Sequence, residues 1–108
     1  MSTSYITNNL IAGDIKTQQV KFASGTYKRG MALEYDESND RYTMLSTGNI
    51  AGIFLGEDRT LVNDEYDSII IGGEVYAAGI LNGSGAELTI TEDMIAAWAA
   101  RGFYIKRK

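Results

Sequence analysis

Apolar and polar positions alternate along this chain in short runs. Gly, Asn and Asp interrupt the runs at intervals typical of small all-β folds. Val20 and Phe22 flank Lys21, and Gly25 breaks that run. After Gly30, Met31, Leu33 and Tyr35 alternate with Ala32 and Glu34, which predicts a strand. The polar stretch Asp36–Asp40 predicts an exposed hairpin loop, with Arg41–Leu45 as the return strand and Gly48-Asn49 as the next turn. Ile50–Leu55 is nearly all apolar, as expected of a strand buried on both faces, and Gly56-Glu57-Asp58 ends it. Asp64, Glu65 and Asp67 precede a second run of this kind, Ser68–Ile71. Gly72-Gly73 predicts a turn or a bulge, and Glu74–Leu81 a resumed strand. Asn82–Gly85 predicts a loop, and Leu88 with Ile90 one more short strand.

The period changes near the C-terminus. Thr91 suits an N-cap, and Glu92 and Asp93 suit the first turn, where the helix dipole favours carboxylates. Met94, Ile95, Trp98 and Ala99 recur at helical spacing, which predicts that Trp98 is core. Gly102 is placed to stop the helix, and Phe103–Ile105 predicts a last strand. At the other end, residues 1–14 are mostly polar. Only Tyr5, Ile6, Leu10 and Ile11 offer apolar surface there, which predicts a flexible arm. Tyr5-Ile6-Thr7 is β-prone, so the arm suits strand addition to a partner's free sheet edge. The predicted fold is mainly β: a small β-barrel or β-tulip-like domain of about seven short strands, with one short C-terminal α-helix. Residues 1–14 form the arm, and residues 15–108 a single domain.

Composition narrows the chemistry. With 108 residues and 44% hydrophobic content, one domain can bury a core without staples. No Cys is present, so no disulfide or thiolate metal site forms. No His is present, which removes the commonest general base and metal ligand. Residues 1–33 carry one acid against four bases, residues 34–93 carry thirteen acids against two bases, and residues 94–108 carry four bases alone. An acidic middle disfavours phosphate-backbone binding. Lys28-Arg29 and Lys106-Arg107-Lys108 are candidates for one basic surface that contacts an acidic neighbour. Asp36-x-Ser38-x-Asp40 matches the first half of a calcium loop. Arg41 stands where that loop needs Gly, however, and Thr47 where it needs Glu. Glu57-Asp58 and Asp64-Glu65-x-Asp67 offer carboxylate pairs without the rest of a substrate cleft. No catalytic residue, cofactor or metal is expected. The first ten residues lack a secretory leader's pattern, and no run has the length of a membrane helix. Synthesis in a cytosol follows, without membrane association.

The order of segments resembles the lambda-type bacteriophage head decoration proteins, which stabilise capsids. The resemblance covers roughly residues 15–106. It runs through Lys28-Arg29-Gly30-Met31-Ala32-Leu33-Glu34-Tyr35 and Arg41-Tyr42-Thr43-Met44-Leu45. It is strongest at Asn49-Ile50-Ala51-Gly52-Ile53-Phe54-Leu55, and it closes with the helix Glu92–Arg101 and the strand Phe103–Lys106. Two features depart from the family: this chain has no Pro, and the acidic stretch 57–67 has no counterpart. The resemblance implies a non-enzymatic homotrimer at threefold sites on the outside of the expanded head. There it would hold the shell against packaged-DNA pressure, its arm adding a strand to the major capsid protein. The alternative is another small β-rich phage module, in a tail or head–tail connector. A single-strand-binding barrel or a carboxylate enzyme fits less well, given the acidic middle and the missing His.

Overall fold

A computed structural model of the chain describes residues 10–46 and 49–107. Among these residues the order is β1 (Ile11–Lys21), β2 (Gly25–Tyr27), β3 (Ala32–Asp36), β4 (Arg41–Met44), β5 (Gly52–Phe54), β6 (Arg59–Leu61), β7 (Tyr66–Tyr76), α1 (Glu92–Ala99) and β8 (Phe103–Lys106). The fold is mainly β with one short helix near the C-terminus, as the pattern predicts, and the strands number eight.

One sheet runs β1-β7-β5-β3-β4, with β8 also on β7, while β2 and β6 form a separate pair. β7 is the axis of the large sheet. β1 lies antiparallel along one edge, from Ile11 opposite Val75 to Lys21 opposite Tyr66. The other edge takes β5 at Ile69–Ile70 and then β8, in parallel, at Gly73–Tyr76. A bridge between Phe22 and Tyr42, and a hydrogen bond from Ala23 N to the Tyr42 carbonyl at 2.9 Å, bring the end of β1 to β4. The two ends of the sheet thus meet, and the sheet curls into a barrel closed at this one seam.

Period-two alternation then sorts side chains into two cores. Leu33, Phe54 and Ile69 face one cluster, with Val20, Phe22, Tyr27, Met31 and Leu61. Their neighbours Ala32, Ile53 and Ile70 face the other, with Leu10, Val75, Ile80, Trp98 and Phe103. This explains the nearly continuous apolar runs at 50–55 and 68–71: both faces of those strands are covered. The first core is aromatic, and Phe22 meets Tyr27 and Phe54 edge-on at centroid distances of 4.8 and 5.5 Å. Such pairs are worth about 0.5–1.5 kcal/mol each beyond their buried area.

The helix forms as its sequence dictates. The Thr91 hydroxyl accepts from Met94 N at 3.2 Å, with Glu92 and Asp93 in the first turn. Met94, Ile95 and Trp98 turn onto the second core, and Trp98 is 1% exposed. Gly102 takes a left-handed φ of +92° and turns the chain into β8.

Of the turn or bulge expected at Gly72-Gly73 the structure has the bulge: β7 runs through it, and the ladder with β1 shifts register there. Three other local expectations are corrected. The strand expected to extend to Leu81 stops at Tyr76, where Ala77–Gly79 winds into a 3-10 turn. Leu88 and Ile90 form no strand; Ile90 is a loop residue seated in the helix-side core. Residues 10–14, expected in the arm, belong to the domain. Leu10 is 1% exposed, and β1 begins at Ile11. Their apolar pattern is too sparse to predict a strand alone, because only half of β1 is covered.

Three glycines in one neighbourhood give a graded test. A Cβ at Gly73 lies 2.3 Å from the Asp14 carbonyl oxygen, at φ +122°. Gly73→Ala is expected to lose at least about 2 kcal/mol. A Cβ at Gly102 meets nothing within 4 Å, so Gly102→Ala carries only the left-handed penalty, about 1 kcal/mol. A Cβ at Gly72 makes an ordinary 3.4 Å contact with the Gly102 carbonyl, so Gly72→Ala stays within about 1 kcal/mol of the parent. Urea titration of the three variants checks the order. Trp98→Ala is expected to exceed all three except Gly73→Ala, at about 3–5 kcal/mol.

Candidate functional site

The chain joins the sheet at Leu10. Tyr76 N donates to the Leu10 carbonyl at 2.7 Å, and the Leu10 side chain fills the helix-side core. Ile11 pairs with Val75 and packs on the same core. Of the residues expected to form a capsid-binding arm, Leu10 and Ile11 are therefore structural anchors. Tyr5, Ile6 and Thr7 lie outside the described residues. Residues 10–14 therefore belong to the sheet and its core rather than to an arm.

The described basic residues are each engaged with their own neighbours. Lys28 is exposed and lies along Gly85. Arg29 turns inward: its Nη1 donates to the Leu55 carbonyl at 2.6 Å, and its backbone N–H donates to Asp58 Oδ1 at 2.9 Å. It braces the loop after β5 and presents no free cation. Lys106 pairs with Glu74 at 3.3 Å. Arg107 Nη2 donates to the Ile90 carbonyl at 2.7 Å and lies 3.7 Å from Glu92. Lys108 lies outside the described residues.

The acidic stretch is also put to structural use. Asp58 holds the Arg29 amide, and Asp64 accepts from Arg41 Nε at 2.9 Å. Glu65 accepts from Val62 N at 2.8 Å and, with Asp67, faces Arg59 at 3.4 Å. These carboxylates tie turns and strand ends rather than converge on a cleft. In the Asp36–Asp40 hairpin tip, Asp36 accepts from Ser38 N at 3.1 Å and from Asn39 Nδ2 at 2.8 Å. Both oxygens of a would-be calcium ligand are thereby engaged. Among the described residues no group of three or more acidic side chains is placed to hold a metal ion.

Two surface clefts remain. One, of about 410 Å³, lies over the β1–β7 bulge, floored by Gly72, Gly73 and Gly102 and flanked by Lys16, Arg101 and Tyr104. The other, of about 290 Å³, lies where β1 and β4 diverge from the seam. It is bounded by Gln18, Gln19, Lys21, Tyr35, Tyr42 and Tyr66. Tyr35 and Tyr42 are opposed across the β3–β4 hairpin, their ring centroids 5.2 Å apart. The Tyr35 hydroxyl donates to Asp40, whose carboxylate also faces Lys21 at 3.8 Å. The hydrogen bond to Asp40, reinforced by that carboxylate's charge, pushes the Tyr35 phenol up to about 12. Burial raises the Tyr42 phenol as well. Sequence reading misses this second group. Its members come from four strands, and only their residue type, with seven tyrosines in the chain, marks them.

No family model and no curated protein matches the chain. Among the described residues no helix is long and apolar enough to cross a membrane.

The titrating groups bracket the stability of the hairpin. The hydrogen bond from Arg41 holds the Asp64 carboxyl below its ordinary value, and that from Asn39 does the same for Asp36. Their contribution is complete above the ordinary carboxylate range, near pH 4, and is lost as pH falls through the lower folded values. Tyr35 has the opposite sign. Its contribution is complete below its ordinary value near 10 and is lost as pH rises through about 12. Urea stability followed against pH is expected to fall at both limbs. Asp64→Asn should shrink the acid limb to the share of Asp36, and Tyr35→Phe should shrink the alkaline one.

Proposed function

We propose that this protein is a non-enzymatic capsid decoration protein. On this reading it binds the outer surface of an expanded phage head as trimers at threefold sites and clamps neighbouring capsomers. The observation that carries the reading is the position of its strongest family-like segment. Asn49–Leu55 contains β5, whose three residues are all buried, with Ile53 and Phe54 serving opposite cores. The resemblance therefore rests on the centre of the fold and not on surface residues that drift freely. The family-like order also continues in space. The hairpin β3–β4 flanks β5, and α1 and β8 close over the same sheet.

The mechanism follows from general physics. The nine residues before Leu10 carry four Ser or Thr hydroxyl side chains with Tyr5 and Ile6 among them, a composition suited to a strand on another protein's edge. Leu10 holds the base of that segment to the domain, so a docked segment transmits load directly into β1 and β7. Three such contacts per trimer reinforce one another through effective concentration.

Co-sedimentation with heads of the parent phage tests this reading. The full chain is expected to bind expanded heads saturably and to ignore unexpanded ones. A form beginning at Leu10 is expected to keep its thermal transition and lose head binding. A longer deletion, through residue 14, is a poor test, because it removes a buried side chain and the start of β1. Failure of the full chain to bind either head form overturns the proposal and directs attention to tails and connectors.

A further inference from the structure

In the groove beside the barrel seam Tyr42 packs partly on the aromatic core and Tyr35 is tied to Asp40, yet the groove keeps exposed ring surface. Three tyrosines from β3, β4 and β7 surround it, and Tyr66 and Tyr35 are 60% and 42% exposed. Isolated exposed aromatics are ordinary on a protein surface, but three converging on one depression are not. Tyr66 stands opposite Lys21 on the β1–β7 ladder, while Tyr35 and Tyr42 stand opposite each other on the hairpin. Tyr66 thus lines the groove from the β1–β7 ladder and the Tyr35–Tyr42 pair from the hairpin. Gln18 and Gln19 also line it. Gln19 Nε2 donates to Ser68 Oγ at 2.6 Å and is held in place. The exposed Gln18 side chain makes no hydrogen bond among the described residues.

The electrostatics narrow the ligand class. The single cation of the groove, Lys21, is offset by Asp40 at 3.8 Å, so the site carries no net charge. A phosphate or carboxylate ligand gains nothing there, and a nucleic-acid strand lacks the basic track it needs. Amides, a carboxylate and phenols supply donors and acceptors in mixed order, which suits ligands whose hydroxyls both donate and accept. Tyrosine faces suit the flat, weakly polarised C–H surface of a pyranose ring. The volume, about 290 Å³, lies at the low end of small-ligand sites, and one end of the groove is shut by the Phe22–Tyr42 bridge.

From this juxtaposition we infer that the seam groove binds a neutral saccharide, with Tyr35, Tyr42 and Tyr66 as stacking surfaces and Gln18, Gln19 and Asp40 as hydroxyl partners. The inference stands apart from the decoration reading, which involves other residues. An open groove of this size buries only part of a sugar, so affinity is expected on the order of 1–10 mM per site.

The test is a ¹⁵N-detected NMR titration of the full chain with maltose, cellobiose and N,N′-diacetylchitobiose. At least one sugar is expected to give saturable shifts confined to the amides near 18–21, 35, 40–42 and 66. Tyr66→Ala is expected to weaken that binding roughly three- to tenfold. Its thermal transition should stay put, because the ring is mostly in water. Gln18→Ala, at an exposed position, should weaken binding independently. Three results overturn the inference: no saturation with any sugar at tens of millimolar, shifts spread over unrelated amides, or the same amides answering only to an extended uncharged peptide or to oligothymidylate. Head co-sedimentation of Tyr66→Ala separates the two proposals, since the decoration reading expects it unchanged.

Discussion

Everything in this fold depends on β7 being buried on both faces and paired on both edges. Eleven residues long, it is the strand to which β1, β5 and β8 all attach. Because side chains alternate, Ile69 and Ile70 commit to opposite cores, and a one-residue slip exchanges the two clusters wholesale. That makes the register of β7 nearly unalterable and fixes the neighbours with it. The register break opposite Gly72-Gly73 is the exception. There β1 approaches so closely that Gly73 has no room for a side chain, and Gly73 N donates to the Gly102 carbonyl at 2.8 Å. One glycine thereby couples the start of β1, the middle of β7 and the turn that launches β8.

The charge distribution is a consequence of this architecture as well. A barrel of short strands has many turns for its length, and each turn leaves backbone donors without ladder partners. With no Pro in its sequence, this chain satisfies several of them with carboxylates. Asp36 caps the β3–β4 hairpin, Asp58 holds the Arg29 amide, and Glu65 holds Val62 N. The acidic middle of the sequence is in good part a set of turn ties. Most of these groups are exposed, so each ion pair adds little alone. Their value is geometric: they fix loop conformations that the short strands could not fix unaided.

Elements with a complete local signature are legible in the sequence. The helix carries its N-cap, its dipole-matched acids, its apolar stripe and its stop, and all four act as their residue types imply. The β3–β4 hairpin, β5 and the 68–71 run of β7 are equally plain. Elements defined by distant partners are not. β2 and β6 are three residues each and exist only because they pair with one another across more than thirty residues of chain. Leu10 looks like a stray apolar residue until α1 and β7 close over it. Arg29 reads as a surface cation, and nothing local says that its guanidinium turns toward the Leu55 carbonyl. The tyrosine groove is the extreme case. Its residues are far apart in sequence, and residue type alone carries no information about convergence.

On the two proposals, β1 also separates the two binding surfaces. Its first residue pairs with Val75 and its last with Tyr66, so the strand spans the whole β7 ladder. Ten steps of roughly 3.3 Å put its ends about 33 Å apart, close to the 36 Å long dimension of the molecule. Leu10 lies at one end of the strand, and the seam groove at the other. A partner engaged beside Leu10 therefore leaves the groove uncovered unless it wraps the entire domain. Weak affinity at the groove is no obstacle in such an arrangement. If many copies are fixed on one particle, each millimolar contact raises the effective concentration of the next, and a repeated saccharide surface is held by the array although no single site retains it.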